Sequence, residues 1–527
     1  METKWRVLAA VGFGTYMATM DFNIVNVAMP TLAEEFDRSP DTVLWATLAS
    51  NLVVTGLTLT AGRAGDLFGR KRLYVIGWLI FSAGMATAGL AQNVEQLIAF
   101  RFFQAIGVAL AIANGNAIVT DAFPDNERGR ALGTMGAIVG AGLMSGPIFG
   151  GLILNVFSWH AIFWLRVPIG LAAMAAAFLF IHEPKRNANG QKLDIPGAIA
   201  LFFVLSGTLL AVNRGGSWGW DSPVILGLFA LGAVALVAFL RIESRSPSPV
   251  VSLQLFRVRS FSASVVALVL NFLGQSASIF LMPFYLVEIQ GYSTAKTGLI
   301  IATVPLLMLL LSAPSGYASD RWNFRFQTTI GSALVMVGLL SLATLEADTP
   351  VAMVVARLAI IGVGTSVFMA PNTSAIMGAV PRSMLGTASA ATATGRNIGN
   401  ASGLAMSGAI LVGVASANSA ISGVDPADLP PDALLDGVRA AFLVSGLVTG
   451  LAVIATFFRG GAQTSMAEAQ ELTGWPRPGT TPTLAGGSRE ADLPRGMRAK
   501  SQHGTPRRKG PGFPLERGTT SRGSVVR

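Results

Sequence analysis

The sequence predicts an all-α integral membrane protein, and three observations predict it. Hydrophobic residues make up 52% of the 527 positions and charged residues only 13%, about half the charged share of an ordinary soluble domain. The apolar residues gather in fourteen runs of roughly twenty, the length that crosses a hydrocarbon core of about 30 Å. Cations collect in alternate gaps between those runs, as loops held on the cytoplasmic side do. A β-barrel would show alternating segments of ~10 residues, and the chain has none.

The runs fall at 5–28, 43–61, 73–91, 97–120, 131–154, 161–182, 195–212, 223–241, 261–287, 296–315, 327–345, 351–375, 385–414 and 438–458. The first is too long and continuous for a cleaved signal peptide, so it reads as a retained helix. The gap after it (EEFDRSPD) and the one after the thirteenth (SGVDPADLPPDALLDG) are net acidic. The intervening even gaps carry Arg70, Lys71 and Arg72, then Arg128 and Arg130, Lys185, Arg186 and Lys192, Arg241 through Arg259, Arg321 and Arg325, and Arg382. Both termini are therefore expected in the cytoplasm, with an even number of spans.

The segment GRAGDLFGRKRL, Gly62 to Leu73, fixes that orientation as a short basic loop. A weaker echo, GYASDRWNFRFQ, follows the tenth run, with Gly316, Asp320, Arg321 and Arg325 in similar places. Such internal repetition points to two related bundles. The expected organisation is a six-helix bundle at 5–182, two extra central helices at 195–241 and a second six-helix bundle at 261–458. The stretch 459–527 is rich in Gly, Pro, Ser, Thr and Arg and holds most of the net charge of +10. It reads as a disordered basic cytoplasmic tail; a rival reading lays it on anionic headgroups.

Composition also excludes. The chain has no cysteine and three histidines, all at run edges or in the tail, so thiol chemistry and a clustered metal site are absent. There is no GxxxxGK[ST] phosphate loop and no soluble catalytic stretch, so neither an ATP-driven pump nor an enzyme is expected. Nothing in it is built for nucleic acid.

Some residues stand out chemically. Asp21 lies inside the first run, where an ionisable group is costly and functional by default. Arg101 and Gln104 lie in the outer half of the fourth run, as Asp21 does in the first, so Asp21 and Arg101 can pair. A carboxylate that exchanges a cation for a proton is a coupling device; a static ion pair joining two helices is the plainer reading. Asp66 can meet a helix N-terminus or a cation across a bundle interface, a contact able to work as a latch. Gly133, Gly142, Gly146, Pro147, Gly150 and Gly151 give the fifth run a small-residue face with a kink-forming proline.

Four of these stretches together resemble the major facilitator superfamily, and within it the fourteen-span drug:proton antiporters. They are the loop with Gly62, Asp66, Gly69, Arg70 and Lys71; DFNIVNVAMP around Asp21; RFFQAIG around Arg101; and the Gly/Pro spacing of the fifth run. The likeness runs over most of residues 5–458. Leu67 stands where that family has an Arg, Ala105 where it has a Gly, and Arg166 where Asn is common. WHAIFWLRVPIG and PFYLVEIQGYSTAKTG also resemble the fourteen-span subgroup and bring Arg166 and Glu288 into view.

The resemblance implies a major facilitator fold in the cell membrane. It also implies proton-coupled export of lipophilic drugs or antibiotics by alternating access, with the proton gradient as energy source and no cofactor. Asp21, Arg101 and Glu288 become the proton-coupling candidates, and the Gly/Pro pattern a packed hinge. Polar residues expected along the substrate cavity are Asn23, Asn26, Gln104, Asn114 and Asn116, with Arg166, Asn271, Gln275 and Arg396 beside them. Buried Arg outnumbering acids tilts the substrate toward neutral or anionic polycyclic compounds. The partners expected are that substrate, protons and the bilayer, with the chain acting as a monomer. Two alternatives stay open: a proton symporter importing a small nutrient, and a receptor or scaffold that transports nothing.

Overall fold

The computed structural model describes residues 2–183, 192–321, 324–419 and 430–459. Among them there is helix but no strand. In chain order the helices are α1 (Thr3–Glu35), α2 (Pro40–Phe68), α3 (Arg70–Ala88), α4 (Val94–Ala122), α5 (Arg128–Val156), α6 (His160–Trp164), α7 (Arg166–Phe180) and α8 (Ile195–Trp218). They continue with α9 (Pro223–Glu243), α10 (Arg259–Phe284), α11 (Thr294–Ile301), α12 (Thr303–Arg321), α13 (Phe324–Leu342), α14 (Val351–Gly378), α15 (Leu385–Ser419) and α16 (Pro431–Phe457). The tail expected after the last run lies outside the described residues, except for Arg459.

Local chemistry sets several helix starts. Ser39, Asn93, Asp194 and Ser222 each accept a backbone N–H three residues on, and Pro40, Pro223 and the Pro at 196 occupy first-turn positions that need no donor. Gly69 separates α2 from α3 at φ 106°, a left-handed backbone that a side chain disfavours.

Each apolar run is helical over most of its length, and eleven stretches are long and apolar enough alone to cross a bilayer. The segments of α1, α3 and α13 fall outside that set. Polar Asp21 and Asn23 dilute α1, and three adjacent cations open α3.

Helices α1–α7 pack around one core that includes Val11, Ile24, Trp78, Phe81 and Phe163. Helices α10–α16 pack around another, with Leu281, Val335, Leu339 and Phe442. A third cluster joins Ala117 and Leu132 of the first group to Phe368 and Ile376 of the second. Two seams connect the groups: α5 lies along α12 and α14, and α2 with α4 lies along α15.

Helices α8 and α9 form a hairpin that leans on α2 and α15. Its anchor is Arg214, which ion-pairs with Asp41 while stacked between Trp45 at 4.9 Å and Trp218 at 5.6 Å. Ser206 adds a hydrogen bond of 3.0 Å to the Leu52 carbonyl. The extra hairpin is thus stapled to α2.

Close approach along the first seam depends on bare backbone. A Cβ at Gly133 would collide with the Ser312 carbonyl and with Gly316, and one at Gly140 would sit 2.7 Å from the Leu309 nitrogen. Gly133→Val is therefore expected to disfavour the closed seam by about 1–3 kcal/mol. Cross-linking across α5 and α12 reads this directly; undiminished cross-linking in a normally inserted variant would contradict it.

Candidate functional site

Two carboxylates clamp the bundles together at one end of the molecule. Asp66, on the last turn of α2, accepts the backbone N–H groups of Gly386 at 2.9 Å and Thr387 at 2.8 Å, and the Thr387 hydroxyl at 3.0 Å. These are the first free amides of α15, where the helix dipole favours negative charge. Arg70, one turn on from Asp66, donates to the same carboxylate at 2.6 and 3.0 Å and to the Arg382 carbonyl at 2.6 Å. Asp66, Arg70, Gly386 and Thr387 are all buried. Gly62 lets α2 come close enough, because a Cβ there would strike the Gly386 carbonyl. Lys71 lies to the side, 5.1 Å over the Phe178 ring.

The other seam repeats the device in mirror roles. Asp320, at the end of α12, accepts the N–H groups of Gly129 at 2.6 Å and Arg130 at 2.8 Å, the first turn of α5. A Cβ at Gly129 or Gly316 would collide with the facing backbone. The echo in the sequence is therefore a second carboxylate on a second helix N-terminus.

Toward the opposite end, a charge cluster lies inside the first bundle. Asp21 of α1 accepts from Arg101 of α4, whose Nη1 is 3.0 Å from both carboxylate oxygens. Gln104 donates to Asp21 at 3.0 Å and accepts from Arg101 at 2.7 Å. Arg166, the first residue of α7, also ion-pairs with Asp21 and donates to the Ile162 carbonyl at 2.7 Å across the α6–α7 break. Asp21 is 5% exposed, Arg101 and Arg166 1% each and Gln104 0%, so the cluster is sealed. It holds two guanidiniums for one carboxylate, and Nε of Arg101 and Nη2 of Arg166 have no hydrogen-bond partner among the described residues. Buried donors left unpaired cost free energy.

The other expected residues sit apart from the cluster. Glu288 is exposed, on a π turn that ends α10. Asn114 is buried and donates to the Leu110 carbonyl at 2.9 Å and the Ala61 carbonyl of α2 at 3.4 Å. Asn271 bonds Ser332 at 3.3 Å and Gln275 bonds Thr365 at 2.6 Å, each joining α10 to a neighbour. Asn26 is exposed and Asn116 half-buried, while the side chain of Asn23 lies outside the described set. Arg396 is half-buried on α15 with no carboxylate partner among the described residues; its neighbour Asn397 donates to Thr55 of α2 at 3.2 Å.

The small residues of α5 serve two different contacts. Gly133 faces α12, whereas Gly142 and Gly150 face α1. Gly146 is buried, Gly151 meets nothing within 4 Å, and α5 runs unbroken through Pro147.

Sequence reasoning missed Arg459. It is 1% exposed and donates to Ser264 at 3.1 Å, Thr328 at 3.1 Å and Asn372 at 3.2 Å, joining the end of α16 to α10, α13 and α14. The signal was hidden because a cation after an apolar run reads equally well as the start of a basic tail.

Comparison with known proteins agrees with this architecture. The Major Facilitator Superfamily profile matches residues 11–404. The riboflavin transporter RibZ of Clostridioides difficile is 36% identical over 405 residues, covering 77% of this chain and 88% of that protein. The multidrug resistance protein Stp of Mycobacterium tuberculosis is 31% identical, covering 79% and 77%. The tetracenomycin C resistance and export protein of Streptomyces glaucescens is 27% identical, covering 77% and 76%. The chain belongs to the Major Facilitator Superfamily, and it is a multi-pass membrane transporter rather than an enzyme.

The Asp66 clamp yields a direct test. Ala61 is buried on α2 beside Ala113 and Ala390, at the junction of α2, α4 and α15. In the cysteine-free chain, Ala61→Cys provides a single thiol to report opening. Asp66→Asn is expected to weaken the clamp by about 2 kcal/mol, roughly thirtyfold in thiol labelling. Equal labelling rates with and without Asp66→Asn would show that the clamp does not hold this end shut.

Proposed function

We propose that the chain is a proton-driven antiporter that exports lipophilic, neutral or anionic polycyclic compounds. It crosses the cell membrane fourteen times as a monomer, with both termini in the cytoplasm and no cofactor. The observation that carries this reading is Asp21, one buried carboxylate shared by two guanidiniums on two other helices. A proton arriving at Asp21 removes the charge that holds Arg101 and Arg166, and their attraction to it falls away. Helices α4 and α7 are then released from α1, and the bundles can exchange one open end for the other. The reverse step returns the proton. One titrating carboxylate of this kind suffices for one proton per cycle.

Orientation follows from the cations. Arg70, Lys71 and Arg72 flank the Asp66 clamp, and Arg128, Arg130 and Arg382 lie at the same end, which favours placing that end inside. Export is supported by the relatives named for multidrug resistance and for tetracenomycin C export. The excess of buried cations in the Asp21 cluster, with half-buried Arg396 lacking a carboxylate among the described residues, favours substrates that carry no positive charge.

A second reading has its own support. The relative named as a riboflavin transporter shares 36% identity, more than the two named for export or resistance. A flat, multi-ring, uncharged or weakly anionic molecule is common to both readings, and only direction separates them.

Transport in inverted vesicles with an imposed proton gradient decides. Wild type is expected to accumulate a neutral or anionic polycyclic antibiotic when the lumen is acid, and Asp21→Asn to lose that accumulation while still binding the compound. Unchanged gradient-driven accumulation in Asp21→Asn would remove the coupling role. Gradient-driven riboflavin uptake by whole cells, with no antibiotic export, would establish the second reading.

A further inference from the structure

A crevice of about 520 Å³ opens on the α5–α12 seam, lined by Trp5 of α1, Arg130 and Thr134 of α5, and Ala313, Pro314 and Tyr317 of α12. It lies beside the Asp320 clamp, on the seam remote from the α8–α9 hairpin. Two guanidiniums border it. Arg130 stacks at 4.7 Å on Trp5, and Arg321 stacks at 4.3 Å on Tyr317. Both Arg side chains are exposed, and neither has an ion-pair partner among the described residues.

The neighbouring acids are already engaged. Asp320 takes the two α5 amides, Glu127 pairs with Lys4 at 2.8 Å, and Asp125 pairs with Arg128 at 2.9 Å. The crevice therefore has surplus positive charge. A guanidinium stacked through its face keeps its in-plane N–H groups directed outward, the geometry that grips a phosphate with two parallel hydrogen bonds. Trp and Tyr are the side chains that settle at the boundary between headgroups and acyl chains.

We propose that this crevice binds the phosphate headgroup of an anionic phospholipid, and that occupancy favours the conformation closed at this end. The second half follows from who lines the site. Trp5, Arg130 and Thr134 belong to one bundle, and Ala313, Pro314 and Tyr317 to the other, so parting α5 from α12 takes the crevice apart. A ligand that needs both walls stabilises the closed seam by the free energy of its differential binding. The closed and open ends would then respond to lipid composition as well as to protons.

The test uses the full-length chain in nanodiscs of phosphatidylcholine, with or without phosphatidylglycerol. Thr3→Cys on α1 and Phe326→Cys on α13 are exposed and give the only thiols, so spin labels there report the separation of the bundles at this end. Phosphatidylglycerol is expected to shift the distance distribution toward the short population. The pair Arg130→Gln and Arg321→Gln is expected to abolish that shift and to lower phosphatidylglycerol retention in native mass spectrometry roughly thirtyfold, at about 1 kcal/mol per cation. The charge-keeping pair Arg130→Lys and Arg321→Lys, expected to retain a partial shift, separates charge loss from misfolding. Three results would overturn the proposal: equal phosphatidylglycerol retention in the Gln pair, a shift that persists in it, or the same shift produced by inorganic phosphate in pure phosphatidylcholine discs. None of these readouts requires transport, so they stand whether or not export is the direction.

Discussion

A carboxylate resting on the first amides of a helix in the opposite bundle is the interaction on which this molecule turns. It satisfies donors that no helix can satisfy for itself, and it sets a full negative charge against the positive end of the dipole. It is also made entirely between bodies, so it exists only while they touch. Asp66 does this for α15 and Asp320 for α5. Glycines on both sides bring the backbones near enough for the contact to be short, and any side chain at Gly62, Gly129, Gly316 or Gly386 would hold the helices apart. The strength of the closed end and its reversibility thus come from the same bonds.

The Asp21 cluster belongs to a different kind of constraint. Its bonds all lie within one bundle, joining α1, α4 and α7. It cannot latch the two halves directly, and any influence on them must pass through a change in how those helices pack. Burial makes such a change abrupt: with the carboxylate ionised, two guanidiniums are held; with it neutral, two buried cations face each other without compensation. Arg166 sits next to the break between α6 and α7 and bonds across it, so the release of one side chain is transmitted to a helix junction.

Sequence made some of this readable and hid the rest for physical reasons. The apolar periodicity and the cation pattern announce helices and loops because burial in lipid leaves no other solution. Asp66 was legible as half of a clamp, since glycine spacing and a carboxylate at a loop are uncommon together. Its partners were not, because Gly386 and Thr387 contribute backbone amides, which every residue but proline possesses. Arg166 stood out as a cavity candidate, but its attachment to Asp21, 145 residues away, depends on where α7 begins. Asn114, Asn271 and Gln275 illustrate a harder ambiguity. A polar side chain inside a span satisfies itself on a neighbouring helix or on a ligand, and the letters are the same in both cases. Here each has a helix partner in this conformation.

The two clamps are alike in chemistry and unlike in surroundings, and the difference has consequences. Asp66 is reinforced from its own helix hairpin by Arg70, which reaches across to the Arg382 carbonyl, and its seam is flanked by the stapled α8–α9 pair. Asp320 has amides but, among the described residues, no guanidinium bond of that kind, and its neighbours Arg130 and Arg321 turn outward onto aromatic rings. One seam is therefore closed by protein alone. The other leaves its cations exposed on their aromatic rings, and on the proposal above an anionic headgroup supplies the counter-charge that the protein withholds. On that proposal, an asymmetric transporter built from two similar halves has one seam set by its own sequence and one tuned by the membrane around it.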